Sequence, residues 1–161
     1  MTDTHPPEKY QAIPELMRLA RGAYKRSADV RLAAAELEDL PTSGGYLLAY
    51  LAAGEESIAD MIQGLGFTKQ AFSQLVDTMV VRGFLTRDVD PGDRRRMTVR
   101  MTERGEAAAR ASYEGCLEVD KELERRLTPE ELAGLRKGLS VLAEIKASLK
   151  DQAIRRGLSP V

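Results

Sequence analysis

The stretch DVDPGDRRRMTVRMTERG, Asp88–Gly105, decides the fold. Pro91 pre-sets the backbone angle of a turn and Gly92 can take positive φ, so "DPGD" reverses the chain. After it, Met97, Val99 and Met101 alternate with Thr98 and Arg100, the period of a strand with one buried face. The preceding "FLTRDV" reads as its partner strand. A hairpin results, and its projecting tip carries Arg94, Arg95 and Arg96 in succession.

Upstream, Gly83 closes a segment of different period, "TKQAFSQLVDTMVVRG". Ala71, Phe72, Leu75, Val76, Met79 and Val80 recur at helical spacing and make a buried face, while Lys69, Gln70, Ser73, Gln74 and Asp77 follow one another on the opposite face. Thr68 is placed to cap this helix. A face chosen only for solubility is commonly filled with Glu and Lys. Amides and hydroxyls beside a single lysine instead suit base edges, where Gln pairs in a bidentate way with adenine. A merely solvated face is the equal alternative at this point. Before it, Ser57 is an N-cap for "IADMIQGLG", with Ile58, Met61, Ile62 and Leu65 on one side and Gly64 and Gly66 as breakers. A short helix, a glycine break, a helix with a polar face and a basic hairpin make a winged helix-turn-helix. The predicted fold class is mainly α with a small β-hairpin wing.

The remaining chain divides around this core. Residues 1–9, with Pro6 and Pro7, read as a flexible arm. Residues 10–41 hold N-terminal helices: one from Tyr10 to about Ser27, with Ile13, Leu16, Met17, Ala20, Ala23 and Tyr24 in a stripe, and a second from Asp29 to Glu38, stopped by Pro41. Residues 42–105 form the winged domain, opened by Thr42 and Ser43 as caps of "YLLAYLAA", which ends at Gly54. Residues 106–161 hold C-terminal helices. Thr102 caps the first, and Thr128, Pro129 and Glu131 form a capping box for the second. Leu132, Leu135, Leu139, Leu142, Ile145 and Leu149 keep steps of three and four there, a stripe that needs either its own domain or a second subunit to cover it.

The chain has 161 residues, 43% hydrophobic and 30% charged, with a formal net charge of −1. That is the size of one folded domain, and it excludes binding nucleic acid or an anionic membrane by bulk charge. The first residues lack the apolar run of a signal peptide and no stretch has the roughly 20 apolar residues of a membrane span, so the expected location is cytoplasmic, with no membrane partner. His5 and Cys116 are the single histidine and the single cysteine, too few for the common metal cages, and neither metal nor cofactor is expected. Cys116 is either a redox sensor or, more commonly for such a residue, a small packed thiol. No phosphate-binding glycine loop or nucleophile elbow is present, and no acid pair is singled out, so an enzyme is not expected.

The segment Ser57–Gly105 resembles the DNA-binding core of the MarR family of bacterial transcriptional regulators. Members carry Asp-x-Arg after the wing turn and then Leu-Thr-x-x-Gly, which correspond to Asp93, Arg95 and "MTERG" with Met101 for leucine, a volume-conserving exchange. The resemblance implies a cytoplasmic homodimer that binds the inverted-repeat operator of double-stranded DNA, acting as a repressor. Thr68, Lys69, Gln70, Ser73 and Gln74 would enter the major groove and Arg95 the adjoining minor groove, whose negative potential favours arginine. Asp93 would orient a wing arginine by a charge-assisted hydrogen bond. Arg87, Arg94 and Arg96 either meet phosphates or pair with Asp88 and Asp90. The family also implies a small aromatic or anionic effector near the N-terminal helices, where Arg18, Arg21 and Tyr24 are candidates for the pocket; solvation of the arginines and packing of Tyr10, Tyr24, Tyr46 and Tyr50 are the alternatives. The rival function is a winged-helix module that binds protein without specific DNA binding.

Overall fold

The computed structural model describes residues 12–54, 61, 62, 64, 66–89 and 97–155. The first element is α1 (Ile13–Ala34). It is one continuous helix, which corrects the expectation of two helices divided between Ser27 and Asp29. Both residues are polar but neither breaks the backbone ladder. Ser27 Oγ donates to Glu118 at 3.3 Å, and Asp29 accepts from Lys25 Nζ at 2.5 Å one turn away. The helix ends instead at a Schellman motif: the Leu37 N–H donates to Leu32 O at 2.9 Å and the Glu36 N–H to Ala33 O at 3.1 Å. Glu36 sits at φ +57°, a position usually filled by glycine, so the stop carried no sequence signal. Leu32 and Leu37 are both buried and complete the motif's apolar contact.

Three further helices and two strands with both ends among the described residues enclose the core. They are α2 (Gly44–Ala52), α3 (Lys69–Val81), β1 (Leu85–Val89), β2 (Met97–Met101) and α4 (Glu103–Arg126). Leu47 and Leu48 from α2, Met61, Phe72 and Met79, and Phe84 at the wing base are 0–4% exposed. Ala108 and Ala111 of α4 close the cluster. Ser43 precedes α2 in the cap position, but its side chain accepts no hydrogen bond, so it is not the cap that its residue type suggested. Gly54, at φ +81°, follows the end of α2 as expected. Met61, Ile62 and Gly64 are helical ahead of Gly66, and the proposed cap Ser57 lies outside the described residues.

The strands pair antiparallel, with Leu85 opposite Met101, Arg87 opposite Val99 and Val89 opposite Met97. Thr102 then caps α4, its Oγ1 accepting from the Gly105 N–H at 3.0 Å. α1 lies along α4 and crosses it at Gly115, where an added Cβ would stand 2.6 Å from Ala28 Cα and 2.7 Å from Ala28 N. The last helix, α5 (Pro129–Arg155), starts at the expected capping box: Thr128 N–H donates to Glu131 Oε2 at 2.8 Å and Glu131 N–H to Thr128 Oγ1 at 3.2 Å. Among the described residues, its stripe is covered only in part, at Leu132 and Leu142. Leu135, Leu139, Ile145 and Leu149 are 41–58% exposed.

Candidate nucleic-acid interface

α3 is divided as its sequence requires. Thr68 Oγ1 accepts the Ala71 N–H at 3.1 Å, fixing the start of the helix. Phe72, Val76 and Met79 are buried, and Ala71, Leu75 and Val80 are partly so. Thr68, Lys69, Gln70, Ser73, Gln74 and Asp77 are all exposed, on the side away from the core. The far end is fixed by Gly83 at φ +75°, with the Phe84 N–H donating to Met79 O at 2.9 Å. Both ends of the helix are therefore anchored, and its polar face is exposed.

The base of the wing explains why a threonine and a glycine stand three apart in "MTERG". Thr102 Oγ1 donates to Gly83 O at 2.6 Å and the Thr102 N–H donates to Phe84 O at 3.1 Å. Gly105 packs under that same Phe84 carbonyl, where an added Cβ would collide with the oxygen. The hairpin is thus tied to the end of α3 and the start of α4 at once. Asp93, Arg94, Arg95 and Arg96, with the turn residues Pro91 and Gly92, lie outside the described residues; the paired residues Val89 and Met97 stand at the two ends of that connection.

Three ion pairs around this unit were not read from the sequence. Arg87 meets Asp77 of α3 at 2.6 Å, rather than Asp88, because its strand face turns toward the helix; Asp90 lies outside the described residues. Asp88 lies on the other strand face and meets Arg100 at 3.6 Å, a diagonal cross-strand pair. Asp39, between α1 and α2, receives Arg104 of α4 at 2.5 Å, while its carbonyl accepts from Arg82 at the end of α3. The Arg104 guanidinium also lies 4.7 Å from the Phe84 ring centroid. Spacing along the chain carries no signal for contacts between residues 39, 82 and 104, which tertiary packing alone brings together.

The three candidate effector residues point in different directions from α1, and each has its own partner in the single chain. Steps of three residues rotate a helix position by about 60°, so Arg18 and Tyr24 point about 120° apart. Arg18 pairs with Glu15 at 2.5 Å in solvent, and this pairing holds the Glu15 carboxyl below its ordinary pKa. Arg21 Nε donates to Tyr46 OH at 3.1 Å, with the guanidinium 5.5 Å from that ring's centroid. Tyr24 OH donates to Asp120 Oδ1 at 2.6 Å across the α1–α4 contact. Two shallow grooves, of about 290 and 330 Å³, open between α1 and α4, one beside Arg31 and Ala111 and the other beside Ala23 and Leu123; neither is lined by these three residues.

Burial, then the Asp120 hydrogen bond and charge, push the Tyr24 hydroxyl up to about 12 from 10.0. With the folded-state pKa above the ordinary one, Tyr24 contributes stability that is complete below pH 10 and is lost as the pH rises through about 12. Tyr24→Phe should flatten that part of the stability curve and cost about 1–3 kcal/mol near neutrality by leaving Asp120 without its donor. Denaturant midpoints of both chains from pH 7 to 12 check this. Cys116 is half-buried, and desolvation followed by the nearby Asp120 raises its pKa, which favours the packed thiol over a reactive one. Among the described residues, no group of His, Cys, Asp or Glu could hold a metal ion, and no helix is long and apolar enough to cross a membrane.

A helix ending in a glycine-containing break, a second helix with an exposed polar face, and a two-stranded hairpin docked on the following helix define a winged helix-turn-helix protein. Residues 38–96 match the model of the MarR family. A Bacillus subtilis (strain 168) protein named as the uncharacterized HTH-type transcriptional regulator YfiV is 30% identical over 100 residues, which are 62% of this chain and 62% of that relative. The fold is similar to that of the MarR family transcription regulator SP03579, with a TM-score of 0.71 at 19% identity, covering 91% of this chain and 93% of that one. It is also similar to that of MepR of S. aureus in its DNA complex, with a TM-score of 0.68 at 24% identity, covering 83% of this chain and 98% of that one.

Proposed function

We propose that the chain is a DNA-binding transcriptional regulator that acts as a homodimer on an inverted-repeat operator, with repression as its sense. The observation that carries this reading is α3. Its outward face presents Thr68, Lys69, Gln70, Ser73 and Gln74, all exposed, beside a hairpin tied to both ends of the same unit. Amide and hydroxyl groups on a helix of this size match the major-groove edges, and Arg95, with Asp93 to orient it, is suited to the neighbouring minor groove. Arg94 and Arg96 would meet phosphates. A protein-binding winged module needs neither this polar face nor an Asp-x-Arg sequence at the tip.

Support for the dimer comes from the partly covered stripe of α5 and from Ile13, Leu16, Met17 and Leu19 of α1, each 43–61% exposed. A small aromatic or anionic effector is part of the same reading. Arg21 against Tyr46 offers a cation and a ring at the α1–α2 contact, and the PcaV regulator of Streptomyces coelicolor, 18% identical with a TM-score of 0.65, has been solved with its natural ligand.

The test compares cognate and scrambled duplexes. Gln70→Ala should cost about 1–3 kcal/mol on the cognate site and relax base preference there. Arg95→Ala should weaken binding to both duplexes. Equal losses on both duplexes for Gln70→Ala would remove that residue from base readout, and a wild-type chain that shifts neither duplex would leave the protein-binding module as the better account.

A further inference from the structure

Asp77 is the one acidic residue of α3, and it stands one turn past Ser73 and Gln74 on the same exposed face. A free carboxylate there would repel the phosphates that flank a groove. It is not free: Arg87 Nη1 lies 2.6 Å from Asp77 Oδ1, with the side chains 37% and 52% exposed respectively. The pair joins the wing to the reading helix, the two elements that would both face a duplex. The adjacent carboxylate, Asp88, is engaged by Arg100 on the opposite strand face and does not compete for Arg87.

The pair is open to solvent on the side where DNA would approach, so a phosphate can contend with Asp77 for the same guanidinium. The contest bears unequally on the two kinds of complex. In the specific complex base contacts fix the register, so a freed Arg87 meets only the phosphate that this register offers, whereas a non-specific complex, held almost wholly by phosphate contacts, can shift until the freed cation finds one. From this, and resting on the DNA-binding reading above, we infer that Asp77 is a selectivity-setting residue: by holding Arg87 it withholds one cation from the DNA backbone and suppresses binding to non-cognate duplex.

The experiment measures affinity against salt concentration on cognate and scrambled duplexes for the wild type, Asp77→Asn, Asp77→Glu and the double variant Asp77→Asn with Arg87→Gln. On the scrambled duplex, Asp77→Asn should bind about three- to fivefold more tightly at low salt. Its slope of log affinity against log salt should steepen by about 0.9, the value of one added phosphate contact. Cognate affinity should rise less, so the ratio between the two sites falls. Asp77→Glu keeps the charge and should keep the wild-type slope, and the double variant should return to that slope because the released cation is gone. An unchanged slope for Asp77→Asn, an equal gain on both duplexes, or a double variant that stays steep overturns the inference while leaving DNA binding intact. A wild-type chain that binds neither duplex overturns both.

Discussion

Gly115→Val is expected to cost about 3 kcal/mol or more and to lower the melting temperature by roughly 6–12 °C. The cause is the crossing of α1 and α4. An added Cβ at Gly115 would lie 2.6–2.8 Å from Ala28 Cα, Ala28 N and the Ser27 carbonyl carbon, all backbone atoms of the facing helix. A flexible side chain could swing away from such an atom, but a helix backbone can only move as a unit. α1 would have to lift from α4, stretching the Tyr24–Asp120 hydrogen bond and the Arg31–Glu118 ion pair on the same seam. Gly22 is the comparison within α1. Nothing lies within 4 Å of a Cβ built there, so Gly22→Ala should stabilise by up to about 1 kcal/mol through helix propensity. Thermal unfolding of both variants checks the pair, and a Gly115→Val chain that melts with the wild type would mean the two helices do not cross so closely.

What could be read from the sequence and what could not separate along physical lines. The wing strands, the faces of α3 and the caps Thr68, Thr102 and Thr128 were legible because periodicity and cap chemistry are local: each rests on residues within one or two turns of one another. The end of α1 was not legible, since Glu36 fills a left-handed position that glycine normally marks, and the polar Ser27 and Asp29 suggested a break that the helix ladder does not make. Pairings across the fold were also silent. Asp77 with Arg87 requires knowing which face of β1 meets α3, and Asp39 with Arg82 and Arg104 requires three separate elements already in place. The separate partners of Arg18, Arg21 and Tyr24 were silent for a related reason, because steps of three look like one stripe over a single turn but spread over a wide arc across two.

Substituting Leu139→Glu together with Ile145→Glu is expected to leave a folded monomer and to lower affinity for a full operator by about 10²–10⁴-fold. Both side chains are 47% exposed in the single chain, so the carboxylates disturb no packing within it. In the proposed dimer they would bring like charges into the apolar seam of α5, which spans 27 residues and about 40 Å. In that proposal each subunit offers one reading helix and one wing. A dimer sets two such units on half-sites about 34–36 Å apart, one turn of DNA, and the second then binds as an intramolecular event. A monomer loses that advantage but keeps every contact of its own half-site. The variant should therefore bind an isolated half-site as the wild-type subunit does, and should show no added preference for the full inverted repeat. Sedimentation velocity measures the assembly state, and titrations on duplexes carrying one or two half-sites measure the preference. A monomeric variant that holds the full operator with undiminished affinity would mean that α5 is not what couples the two reading helices.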